Sequence, residues 1–311
     1  VTATPTPATP TPATPTPATP TPATPSRDGH RTVSLGITLG GLNPKSWREV
    51  ALAADETGIE SVFVSDHLVA PVQARGSLGT AEKDARMQPD TPLLDSLGYL
   101  SYLAGITERV RLGTYVYLLG LRHPFAAARA VATLDVVSGG RALFGVGAGW
   151  LTSEFEAAQV PSEDRGRRLD ESIGLCRRLW SEERIAHRGE FYSFGPVGFR
   201  PKPARLGGVP LLVGGESAPA LRRAARLGDG WIGMRHTQAS AAAKVTTLRR
   251  LRAEAGRGPD GFTITVGGDV RDRSDLDAWA AAGVDRVVVQ PWAGSRTAAA
   301  DLRDFADAVL R

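Results

Sequence analysis

Residues 62–71 read VFVSDHLVAP: an apolar run, a small residue, then Asp66 and His67 side by side before the chain turns loop-like at Pro71. The run of β-formers without alternation predicts a buried strand. Its last residues therefore present a carboxylate and an imidazole at one end of a sheet, and the role of that end depends on what surrounds the strand.

Outward from it, short β-branched runs alternate with amphipathic helical patterns. The predicted strands are 33–39, 61–65, 110–117, 142–147, 210–215, 230–234, 262–268 and 286–290. Helical patterns lie between them; one, NPKSWREVALAADETG, places Asn43 as N-cap, Pro44 at the first helical position and Gly58 past the end. Eight strands and eight helices in strict alternation predict a (β/α)8 barrel, an α/β fold whose chemistry gathers at the carboxyl ends of its strands. Two connections exceed the usual length: residues 67–90 after the second strand, and 185–205, which read as a hairpin before the fifth. Insertions of this size serve as binding loops or lids.

Residues 6–25 are four copies of TPATP, whose prolines deny backbone donors and fix φ near the polyproline value. Residues 1–30 are expected to be a disordered tail and 31–311 one barrel domain. The net charge of +4 comes from arginines scattered among acids, a solvated surface rather than a nucleic-acid footprint. No stretch reaches transmembrane length. The single cysteine, Cys176, sits in a helical pattern and is expected to be a buried thiol, which fits a reducing cytoplasm.

The strand ends hold the candidate chemistry. The second gives Asp66 and His67, either a loop-holding pair or an acid–base pair. The third gives Thr114, Tyr115 and Val116, and the fourth Gly147, Ala148, Gly149 and Trp150. The fifth runs GGESAPALRRAARLG from Gly214, with Ser217 as N-cap, where backbone N–H groups and the helix dipole favour a phosphate, unless the glycines only ease the turn. No lysine ends a strand, and no His-x-His or acid cluster completes a metal set, so no metal is expected. An organic cofactor would supply what these side chains lack.

SVFVSDHL, TERVRLGTYVYLLGLRHP, ATLDVVSGGRALFGVGAGW, EFYSF…FRPKP and PLLVGGESAPALRRAARLGDGW, in this order, resemble the luciferase-like monooxygenase superfamily, particularly its coenzyme F420-dependent oxidoreductases. The resemblance covers residues 33 to about 235. It implies hydride transfer between the deazaflavin and a small organic substrate, or alternatively monooxygenation with FMN reduced by a separate reductase. It places Asp66 and His67 beside the reactive part of the ring, with His67 as proton donor or acceptor and Asp66 bonding the cofactor or orienting the imidazole. Tyr115 and Val116 match a bulge that often carries a non-prolyl cis peptide behind the ring. Gly147 and Gly149 match the ring's edge and side chain, Ser153 a contact to the ribityl chain, and Gly214, Gly215, Glu216 and Ser217 the phosphate loop. A homodimer is implied, and the Arg- and Ala-rich composition suggests a high-GC, actinobacterial source. Trp150 and Pro71 stand where the family's sugar-phosphate dehydrogenases carry a glutamate and a tryptophan, so that substrate is not implied. Tyr99, Tyr102, Tyr117, Trp150 and Phe191 are candidates for an aromatic substrate wall.

Overall fold

A computed structural model describes residues 32–77 and 88–311. The expected tail and the middle of the 67–90 connection lie outside the described residues. Eight parallel strands close into a barrel: β1 (Ser34–Thr38), β2 (Ser61–Val64), β3 (Arg111–Thr114), β4 (Ala142–Val146), β7 (Leu211–Gly214), β8 (Gly230–Arg235), β9 (Thr263–Gly267) and β10 (Arg286–Val289). Between β4 and β7 stands the expected antiparallel hairpin, β5 (Arg184–Arg188) with β6 (Ser193–Gly198).

Alternation along the strands sorts the core into two layers. Val62 and Val64, Phe144 and Val146, and Val287 and Val289 face the helices; Phe63, Leu143 and Val288 meet inside the cylinder. The lumen is filled rather than open, as in closed barrels of this size. Gly113 makes room for this filling: a Cβ there would lie 2.6 Å from the Phe63 ring.

Helices wrap the outside: α1 (Pro44–Thr57), α2 (Ser96–Ala104), α3 (Pro124–Val137), α4 (Thr152–Ala157), α5 (Arg165–Ser181), α6 (Ala218–Leu227), α7 (Gln238–Glu254), α8 (Arg273–Ala281) and α9 (Ala298–Leu310). The α1 boundaries follow their local chemistry. The Asn43 side chain accepts from the Lys45 N–H, Pro44 opens the helix, and Gly58 closes it at φ 85°. One helix more than the sequence rhythm implies is present among the described residues. It is α4, six residues long and too short to show a periodicity. The third strand is also shorter than expected. It stops at Thr114, and the ladder resumes only at a single Tyr117–Val146 bridge. The Gly145 carbonyl accepts from both the Thr114 hydroxyl (2.7 Å) and the Tyr117 N–H (2.8 Å), so Tyr115 and Val116 bulge between them. Their peptide bond is cis.

Candidate active site

Because every barrel strand runs the same way, the ends carrying Asp66–His67, Tyr115–Val116, Gly147–Trp150 and Gly214–Ser217 all open on one mouth. Tyr115 forms its floor. Its ring packs edge-on to Phe63, and its hydroxyl donates to the Gly233 carbonyl (2.8 Å), spanning the lumen from β3 to β8. Val116 turns the other way, between two glycines. A Cβ on Gly147 would approach a Val116 methyl to 2.5 Å, and one on Gly214 to 2.9 Å. Val116 therefore requires these glycines. Gly149 at φ +82° and Gly215 at φ +120° carry the chain around backbone conformations that L side chains avoid.

Asp66 and His67 are neighbours in sequence but belong to different networks. The Asp66 carboxylate is buried, and four donors converge on it: both Arg122 Nη atoms (2.8 and 2.9 Å), the Leu118 N–H (2.9 Å) and the Ser96 hydroxyl (3.2 Å). Burial pushes its carboxyl up from the ordinary value, against the opposing pull of Arg122, Leu118 and Ser96. Asp66 does not orient the imidazole; that expectation fails because its oxygens are taken up by Arg122, Leu118 and Ser96. The imidazole turns instead to Glu154 on α4, with Nδ1 2.9 Å from Oε2. The other Glu154 oxygen accepts the Leu68 N–H (2.5 Å) and the Val69 N–H (3.4 Å). His67 retains 17% side-chain exposure and meets Trp150 edge-on, ring centres 6.3 Å apart.

Ser153, expected to touch a cofactor side chain, has its hydroxyl engaged by the Arg75 N–H (3.0 Å). The Thr152 hydroxyl donates to the Arg75 carbonyl (2.9 Å), and Arg75 pairs with Glu156. The start of the long post-β2 connection is thus pinned along α4.

At the fifth barrel strand Ser217 caps α6 through the Ala220 N–H (3.4 Å). The N–H groups of Glu216, Ser217 and Ala218 have no acceptor among the described residues, a donor set suited to a phosphate. The Glu216 carboxylate turns away to Lys244 (2.9 Å), His236 (3.0 Å) and the Met234 N–H (2.9 Å). Burial raises its carboxyl, but His236, the Met234 N–H and Lys244 outweigh that and hold it at about 2.

Of the proposed aromatic wall, Trp150 is the member that meets His67 among the described residues. Tyr99 and Tyr102 stack on α2, Tyr99 also against Trp47; Tyr117 lies on Phe144 and under Arg122, and Phe191 under Arg168. Glu154 and Arg122 escaped the sequence reading. An acid in the first turn of a helix and an arginine in a loop look ordinary until the fold brings them back to the second strand.

A family model described as luciferase-like monooxygenase matches residues 21–308. An uncharacterised protein of Mycobacterium tuberculosis is 34% identical over 242 residues, 76% of this chain and 84% of that one. An F420-dependent glucose-6-phosphate dehydrogenase of Nakamurella multipartita is 35% identical over 192 residues, 61% of this chain and 52% of the dehydrogenase. Among solved structures, the monooxygenase RslO1 from Streptomyces bottropensis superposes with a TM-score of 0.70 at 22% identity, over 89% of this chain and 99% of that one.

Proposed function

Because this chain belongs to the luciferase-like monooxygenase family, we propose that it is an oxidoreductase whose barrel mouth holds coenzyme F420 for hydride exchange with a small organic substrate. When bound, the deazaflavin supplies a carbon centre that donates or accepts the hydride. The choice of cofactor is supported by the 35% identical F420-dependent dehydrogenase. The mouth suits such a group: the Val116 bulge set into Gly147 and Gly214 makes a shelf, and three N–H groups at the start of α6, without an acceptor among the described residues, suit an anion.

The chain's own residues then have separable tasks. His67 moves the proton that accompanies hydride transfer, at Nε2, which has no partner among the described residues. Asp66, locked to Arg122, fixes the strand end that carries His67. The Glu216, Ser217 and Ala218 N–H groups hold phosphate without a dedicated cation, since Lys244 and His236 already pair with Glu216. Trp150 gives the substrate an aromatic neighbour beside His67, which favours an apolar body over a phosphorylated sugar. Val136 and Val137, exposed at the end of α3, are the apolar surface we assign to a homodimer.

The observation that carries this reading is the imidazole at the mouth with its outer nitrogen unpartnered among the described residues. Fluorescence titration with coenzyme F420 and with FMN tests it, followed by an anaerobic screen of alcohols, carbonyl compounds and enones. Preferential F420 binding is expected, and His67→Ala should lower kcat by about 10²-fold or more with cofactor affinity nearly unchanged. Preference for FMN, or an equal loss of binding and turnover in the variant, would overturn it.

A further inference from the structure

The arrangement around Glu154 determines more than the orientation of a ring. We infer that Glu154 is the positioning residue that fixes the His67 proton on Nδ1 and so reserves Nε2, with its lone pair, for proton transfer. This rests on the reading of His67 as the proton-handling group.

Donors and acceptors around Glu154 fix the position of the proton. Glu154 is fully buried, and its carboxylate meets three groups. The Leu68 and Val69 N–H groups converge on Oε1, while the imidazole Nδ1 has Oε2 to itself at 2.9 Å. Backbone amides can only donate, and an ionised carboxylate can only accept. Nδ1 must therefore carry its hydrogen, and the neutral imidazole is left with its lone pair on Nε2. A carboxylate serving both the ring and the adjacent backbone also ties the tautomer to the course of the chain after β2, because Leu68 and Val69 immediately follow the histidine.

A second histidine shows that such a bond does not by itself make an acid–base site. Glu171 accepts from His187 (2.9 Å), Phe191 (3.0 Å) and Tyr192 (3.0 Å). There, however, Nε2 is the nitrogen engaged, and the network joins the β5–β6 hairpin to α5. At His67 the opposite nitrogen is held, and the held ring stands at the mouth beside Trp150.

Glu154→Gln makes the inference testable, since an amide offers one acceptor where the carboxylate offered two. The Leu68 and Val69 amides claim the remaining oxygen, the amide nitrogen faces the ring, and His67 must switch to the Nε2–H tautomer. Nitrogen-15 NMR of histidine-labelled protein, with the His67 signals assigned by their loss in His67→Asn, reads the tautomer without any turnover. The wild type should show Nδ1–H and Glu154→Gln should show Nε2–H. With whichever compound turns over in the anaerobic screen, kcat in Glu154→Gln should fall by about 10²-fold with KM little changed. Nε2–H in the wild type, or Nδ1–H retained in the variant, overturns the inference; the wild-type spectrum alone suffices if the variant does not fold. An inverted tautomer with undiminished kcat leaves Glu154 as the positioning residue and refutes the acid–base reading of His67 instead.

Discussion

Val116 is the residue on which the mouth's glycines converge. Its two methyl groups occupy the space where Gly147 and Gly214 would carry a Cβ, and a β-branched side chain cannot rotate freely to make way. Gly147→Ala is therefore expected to destabilise the protein by about 1–3 kcal/mol through overpacking. Adding Val116→Ala should recover part of that loss in thermal unfolding, as contacting residues couple. Equal losses in both backgrounds would show that the glycine answers to something else. Gly147 was visible, through the family resemblance, as a position at the edge of a cofactor ring. That a neighbouring valine also demands the space was not, because the two residues lie on different strands.

At the scale of elements, Asp66 is a joint. It draws together the end of β2, the start of α2 through Ser96, and the segment after β3 through Leu118 and Arg122. Asp66→Asn leaves the Arg122 guanidinium without its bidentate carboxylate, and breaking a buried pair in this way costs about 3–5 kcal/mol. A clear fall in Tm is expected, with turnover lost through misplacement of His67. An unchanged Tm with weakened cofactor binding would move Asp66 into contact with the ligand. The Asp-His pair itself was legible in SVFVSDHL because a buried strand rarely ends on two such groups without reason. Their true partners were not. Arg122 and Glu154 stand 56 and 87 residues downstream of the residues they hold, and only barrel closure makes those distances short.

For the whole molecule, the barrel rhythm was readable since short β-branched runs alternate with helical patterns, some of which carry their own caps. What the rhythm could not show was α4, which lacks enough turns to display an apolar stripe. The opposite end of the barrel from the mouth supplies a stability prediction. There Glu60 pairs with Arg286 (2.7 Å to each oxygen) and with Arg111 (3.3 Å). Burial raises the Glu60 carboxyl, but Arg286 and Arg111 outweigh it and hold it at about 2, against an ordinary 4.5. A carboxyl depressed on folding stabilises above its unfolded value and loses that contribution as pH falls toward its folded one. Unfolding free energy should therefore drop by roughly 2–3 kcal/mol between about pH 5 and pH 2 on account of this group. Glu60→Gln should remove that part of the slope; an identical slope in the variant would assign it to other carboxylates.

The proposed chemistry at this mouth moves a hydride rather than activated oxygen. Oxygen uptake measured during turnover of reduced coenzyme F420, alongside the same reaction in an anaerobic cuvette, tests it most directly. Cofactor oxidation at the same rate in both vessels, with no oxygen consumed, is the predicted result. Oxygen consumed in step with reduced FMN, and no turnover without it, would contradict the account.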